Sequence, residues 1–201
     1  MQVVVVGHTG VVGSAVVQAF EARGDEVIGA SRHSEPSLDI KNPESIAAFF
    51  AEVGRVDALV SATGAVPFVS VNEATTEEFQ AGFADKFQGQ VNLVLHGKEH
   101  LNDRGSITLS TGILTEHPVA GSVISSSVGG AIEAFANAAA CELDRGLRVN
   151  VVAASVIEEA LDDFGTYFPG FIPTPAAEAA QYFVRSACGI ESGVTLRTYV
   201  S

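Results

Sequence analysis

Three glycines at a spacing of three, Gly7, Gly10 and Gly13, follow directly on the uncharged run Val3–Val6. The chemistry such a turn can do is anion binding. Gly7 permits a tight turn, Gly10 removes a Cβ where a pyrophosphate must come close, and Gly13 lets the following helix pack on the strand. The helix opening near Gly10 points the free N–H groups of Val11 and Val12, and its positive dipole end, at phosphate. Thr9 adds a hydroxyl. Strand, glycine turn and amphipathic helix in that order are the context a dinucleotide site requires. His8, inside the turn, is expected to be a solvent-facing loop side chain.

About twenty residues further on, where a carboxylate would hydrogen-bond an NAD ribose, the chain reads Ala30-Ser31-Arg32-His33. No acid is present, and Arg32 can pair with a 2′-phosphate, so the reading is NADP(H) in preference to NAD(H). Lys86 falls on the Phe79/Phe83/Phe87/Gln90 side of a helix, where an ammonium either snorkels outward or meets partners inside. His117 is a loop imidazole of a type that titrates near neutrality and can move protons. Residues 156–175 hold "FGTYFPGFIPTP" (Phe164–Pro175), rich in aromatics and prolines. With Tyr167 and Phe168 at its centre, it reads as a rigid apolar lid over a substrate pocket.

The elements that must position these residues alternate. Val3–Val6, Glu26–Ala30, Val56–Val60, Ser106–Leu109, Val149–Ala153 and Thr195–Val200 read as strands, several apolar throughout, as strands covered on both faces should be. Helices start at Asn42-Pro43, at the capping box Thr75-x-x-Glu78, and at Thr174-Pro175. A further helix spans about Ser126 to Asp144, with Ile132, Phe135, Ala136, Ala139, Ala140 and Leu143 on one face and Cys141 packed within it. Strand–helix alternation implies right-handed crossovers and a doubly wound, mostly parallel sheet of about seven strands with helices on both faces, a Rossmann-type α/β domain over residues 1–201.

Composition narrows the partners. The chain of 201 residues is 47% hydrophobic and 17% charged, with a net charge of −13. That balance argues against nucleic acid and anionic membrane surfaces, which select basic faces, and leaves a small-molecule substrate. No basic-plus-apolar leader and no run of about 20 apolar residues is seen. Two cysteines make no disulfide framework, which suits the cytoplasm. No metal-ligand pattern is present.

The sequence resembles the short-chain dehydrogenase/reductase family nearly end to end. Beyond the glycine turn, Leu38-Asp39-Ile40 is similar to the family's short third strand, whose aspartate contacts adenine. Ser61-Ala62-Thr63-Gly64 stands where the family has Asn-Asn-Ala-Gly. Arg148-Val149-Asn150-Val151 and "AIEAFANAAACEL" resemble its sixth strand and active-site helix. The resemblance implies carbonyl reduction or alcohol oxidation by a serine, a tyrosine, a lysine and an asparagine. Carried over residue by residue, the serine falls at Ser110 or Thr111, the tyrosine at Ser125, the lysine at Gly129 and the asparagine at Lys86. The Tyr-x-x-x-Lys pair is therefore absent. Lys86 is expected to fill the space vacated at Gly129, hold the nicotinamide ribose and place positive charge near the reacting oxygen. The resemblance also implies homodimers or homotetramers through the alanine-rich helix and the Phe79–Leu95 helix. A second reading is a dinucleotide-binding protein without redox turnover, such as a sensor, a partner subunit, or a non-redox isomerase or cyclase.

Overall fold

A computed structural model describes residues 1–200. Six strands, β1 (Gln2–Val6), β2 (Glu26–Ala30), β3 (Val56–Ser61), β4 (Leu101–Gly112), β5 (Arg148–Ala154) and β6 (Thr195–Arg197), form one sheet in the order β2-β1-β3-β4-β5-β6. All neighbouring pairs are parallel. Because successive side chains leave a strand on opposite faces, the valines of β1 serve two cores. Val3 and Val5 pack with Val16 and Phe20 of α1 (Val11–Glu21) and Phe183 of α7 (Ala176–Cys188), which follows the short helix α6 (Leu161–Phe164). Val4 and Val6 pack with Phe49 and Phe50 of α2 (Pro43–Val53) and Ile124, Val128 and Ile132 of α5 (Val123–Ala140). The expected doubly wound α/β architecture is the one observed.

Local signals hold where they are self-contained. The Asn42 side chain accepts from the Glu44 N–H with Pro43 in the first turn. Thr75 and Glu78 form both halves of the capping box that opens α3 (Thr76–Gly82). Helix α3 runs through a π-helical stretch, Phe83–Phe87, into α4 (Gln88–Gly97).

Several boundaries differ. Leu38–Ile40 is not a strand: the Leu38 N–H donates to the Ser31 carbonyl (2.8 Å) and the Asp39 N–H to Ser45 Oγ (3.0 Å), so loop partners take the ladder's donors. Both apolar side chains are nonetheless buried. Strand β6 stops at Arg197, and Val200 is exposed. Cys141 lies at the C-cap of α5 and is exposed, not packed. At Thr174-Pro175 the N-cap is Pro175; Thr174 turns inward toward Thr198 Oγ1 (3.1 Å), and the Glu159 carboxylate caps the Ala176 N–H instead (2.9 Å). No helix among the described residues is long and apolar enough to cross a membrane.

Candidate active site

β1 pairs with β2 on one side and β3 on the other, so the chain reverses direction across the sheet at β1. The crevice at the C-terminal ends of β1 and β3 is where such sheets bind ligands. Gly7 sits there with φ +86, and a Cβ on it would lie 2.6 Å from the Ala62 carbonyl oxygen. A Cβ on Gly13 would fall onto the Gly7 carbonyl, so α1 can seat against the turn only with glycine there. Gly10 is the N-cap of α1 without a side-chain cap, and a Cβ there would meet nothing closer than 3.5 Å. The space above it is open to a ligand, and the first-turn amides face it. These residues fit a dinucleotide pyrophosphate.

Gly7, Thr9 and Gly10 share a cavity of about 280 Å³ with Ser31, Arg32, Asp39, Ile40, Ala62 and Thr63. Arg32 is exposed, and among the described residues its guanidinium takes no side-chain partner, while Lys41 at the same cavity pairs with Asp85 (3.5 Å). Val11 stands exposed at the helix start, whereas Ser61 is buried with its hydroxyl unpartnered. His8 is half-buried and not simply turned to solvent: its ring lies over Gly29, where a Cβ would come within 2.6 Å, and its Nδ1 is buried. The glycine in β2 makes room for the imidazole.

The crevice continues into a cavity of about 220 Å³ lined by Val12, Gly64, Lys86, Ser110 and Thr111, and then into one of about 440 Å³ lined by Gly64, Lys86, Thr111, Ser125, Gly129 and Phe68. Lys86 and Thr111 therefore stand where the two meet. The π-helical stretch sets Lys86 against Gly64, whose φ is +104 and where a Cβ would lie 2.8 Å from the lysine Cγ. The Lys86 Nζ reaches the Gly64 carbonyl at 3.5 Å. Burial pushes this ammonium below the usual lysine range, with Asp85 pulling weakly the other way. Asp85 is itself engaged by the Ala65 N–H (3.0 Å) and by Lys41.

The space directly at Gly129 is filled by Thr115, not by Lys86: a Cβ on Gly129 would lie 2.5 Å from Thr115 Oγ1. Lys86 lines the same cavity as Gly129. His117 lines a different cavity, of about 480 Å³, with Phe171 and Tyr199, and is thus not brought to Lys86 and Thr111. Tyr167 and Phe168 pack on Phe68, at ring centroid distances of 4.9 and 6.4 Å. Three residues escaped sequence reasoning. Gln90 is fully buried and brackets the Ser110 backbone, accepting from its N–H (2.8 Å) and donating to its carbonyl (3.0 Å). A polar residue on an apolar helix face was the signal for it. Thr115 and Glu133 carried no such mark, since each is defined by what it meets across the fold.

A short-chain dehydrogenase family model described as Enoyl-(Acyl carrier protein) reductase matches residues 10–186. The chain belongs to the short-chain dehydrogenase/reductase family. Among solved structures of this family fold, a Listeria innocua protein, lin1944, is 42% identical, with a TM-score of 0.96 over 99% of this chain and 100% of that one. A small-chain dehydrogenase in complex with NADPH is 25% identical, with a TM-score of 0.87 over 98% and 96%. Among curated relatives, an uncharacterised oxidoreductase of Methylorubrum extorquens is 28% identical over 144 residues, 71% of this chain and 57% of the relative. The hydroxynaphthalene reductase arp2 of Aspergillus fumigatus is 24% identical over 198 residues, 94% and 71%. The chain thus spans little more than half of the first of these and under three quarters of the second.

Proposed function

We propose that this chain is an NADP(H)-dependent oxidoreductase that interconverts a carbonyl and an alcohol with a rearranged set of site residues. The observation that carries the reading is the position of Lys86, on the shared wall of the two cavities beyond the phosphate cradle. The cradle holds the dinucleotide by the free first-turn amides of Val11 and Val12, the Gly7 and Gly10 amides being spent on the Ala30 and Gly7 carbonyls, with Thr9 and Ala62–Gly64 flanking it. Arg32 takes the 2′-phosphate, because no carboxylate stands at the end of β2 to prefer a ribose hydroxyl. Asp39 and Ile40 border the adenine. When bound, the nicotinamide supplies the hydride chemistry. Lys86 holds the ribose and places a positive charge beside the substrate oxygen in a poorly hydrated site, where charge stabilisation is strongest. Ser110, Thr111 and Ser125 supply hydroxyls to that oxygen. The NADPH complex of a relative and the relatives named reductases support this reading.

The whole chain acts as one nucleotide-binding domain, with residues 156–175 as its substrate lid, pinned through Phe68 by Tyr167 and Phe168. Two exposed, unbridged cysteines suit the cytoplasm. Helices α4 and α5 pair copies of the chain into dimers or tetramers.

One observation favours a second reading, dinucleotide binding without turnover. Thr115 fills the space at Gly129, so the family's lysine position cannot regain a side chain without a rearrangement. Calorimetry with NADPH, followed by nicotinamide absorbance with aldehydes, ketones and quinones, separates the two. Consumption that vanishes in Lys86→Ala supports the oxidoreductase, and tight binding with no turnover supports the second reading.

A further inference from the structure

Ser125, Gly129 and Glu133 are spaced by four and share one stripe of α5. The first two line the larger cavity. Glu133, one turn beyond, is mostly buried and reaches the same place from behind: Thr111 Oγ1 donates to its Oε1 at 3.4 Å. Its other oxygen, Oε2, accepts from Thr195 Oγ1 at 3.3 Å and faces the Arg197 guanidinium at 3.5 Å. Arg197 in turn pairs with Glu116 at the surface (Nε to Oε1, 2.6 Å). A polar chain therefore runs from the cavity wall at Thr111 through Glu133 to Arg197 and Glu116 at solvent.

The hydrogen bond has a direction. Thr111 Oγ1 is the donor and the Glu133 carboxylate oxygen the acceptor, so the Thr111 hydrogen points at Glu133. What Thr111 turns to the cavity is then a lone pair. A lone pair receives a hydroxyl and repels a carbonyl oxygen, so the resting site is matched to an alcohol.

We propose that Glu133 is a positioning residue that makes Thr111 the proton acceptor for a compact secondary alcohol whose apolar groups fit the cavity beside Val66, Phe68, Leu114 and Phe164. This deepens the oxidoreductase reading and rests on it. The step balances: the alcohol O–H bond breaks and its proton goes to Thr111 Oγ, while the Thr111 proton passes to Glu133 Oε1. The electron pair of the carbinol C–H bond leaves as hydride to the oxidised nicotinamide, forming the carbonyl. The other titratable groups facing this chain are Arg197, Glu116, Tyr199, His117 and Lys86. Burial pushes the Tyr199 phenol up to about 12, so it stays protonated and does not compete as a base. His117 stacks edge-on to Tyr199, at 5.9 Å, in the separate cavity.

Two measurements test this. In the cofactor-free protein, ¹³C NMR of labelled glutamate carboxyls at neutral pH, assigned with Glu133→Gln, reads the hydrogen bonding of the Glu133 carboxylate. Thr111→Val removes a donor to the carboxylate and is expected to move its resonance; an unmoved resonance overturns the proposal without touching the oxidoreductase reading. In the second, 1-phenylethanol and 1-indanol are oxidised with NADP⁺ across pH 5–9. Glu133→Gln is expected to lose about a hundredfold in kcat across this range, with NADP⁺ affinity unchanged, and Glu133→Asp to restore part of it. Should Glu133→Gln not fold, Thr111→Val, which keeps the Glu133–Arg197 pair, must show the same loss. A wild-type profile retained in either variant overturns the proposal alone. Wild type that binds NADPH yet turns over neither these alcohols nor acetophenone and 1-indanone overturns the oxidoreductase reading and this proposal with it.

Discussion

The two ends of the crevice are built from different materials. At the phosphate end the working groups are backbone amides, and the sequence contributes chiefly by leaving side chains out at Gly7, Gly10 and Gly13. At the proposed reactive end the groups assigned roles are side chains, Lys86, Thr111 and Glu133, set by a π-helical stretch, a strand end and a helix from three distant parts of the chain. A backbone cradle tolerates almost no substitution. A side-chain site can exchange members, provided that charge and hydrogen-bonding capacity remain. That contrast accounts for a family glycine turn beside an unfamiliar set of reactive groups.

Perturbing the cradle should have the largest effect. Gly13→Ala puts a Cβ onto the Gly7 carbonyl, and the expected cost is about 3 kcal/mol of stability with loss of NADPH binding, read by denaturant titration and calorimetry. At the reactive end, Lys86→Ala should lower turnover about a hundredfold while shifting NADPH affinity less than tenfold. Equal losses in both would mean that Lys86 is a binding residue only.

Lys86 also has a pH signature. Burial lowers its folded-state pKa below the unfolded value, so the unfolded chain binds more protons between those two values. Stability therefore rises with pH across that interval. Lys86→Met should flatten the rise and, at neutral pH, raise Tm by about 2–4 °C, the shift expected for about 1 kcal/mol in a chain of this size. A change of similar size is expected from Arg32→Asp, about tenfold weaker NADPH binding with NADH gaining relative to it. Smallest is Glu159→Ala, which uncaps α7 and should cost about 0.5 kcal/mol in thermal melts without changing cofactor affinity.

What the sequence discloses follows the range of the interaction that fixes it. The valines of β1 and the Thr75–Glu78 box are legible because strand burial and capping are settled within a few residues. The N-cap of α7 was misplaced because its acceptor, Glu159, arrives from seventeen residues upstream. Leu38–Ile40 has a strand's apolar alternation but spends its amides on Ser31 and Ser45. The π-helical stretch carrying Lys86 cannot be read from a 3.6-residue period, which assumes the hydrogen-bond ring that this stretch abandons. Of the site, Lys86 and Thr111 were legible as unusual residue types in marked places. Glu133 was not, since a glutamate on a helix is ordinary until β4 and β6 close around it.

His8 and Gly29 leave a trace that sequences alone can carry. The imidazole lies across the neighbouring strand only because residue 29 has no side chain, so each position restricts the other's alphabet. Wherever a relative bears a bulky residue at 29, its counterpart of His8 must be small, and the pair should drift together rather than singly.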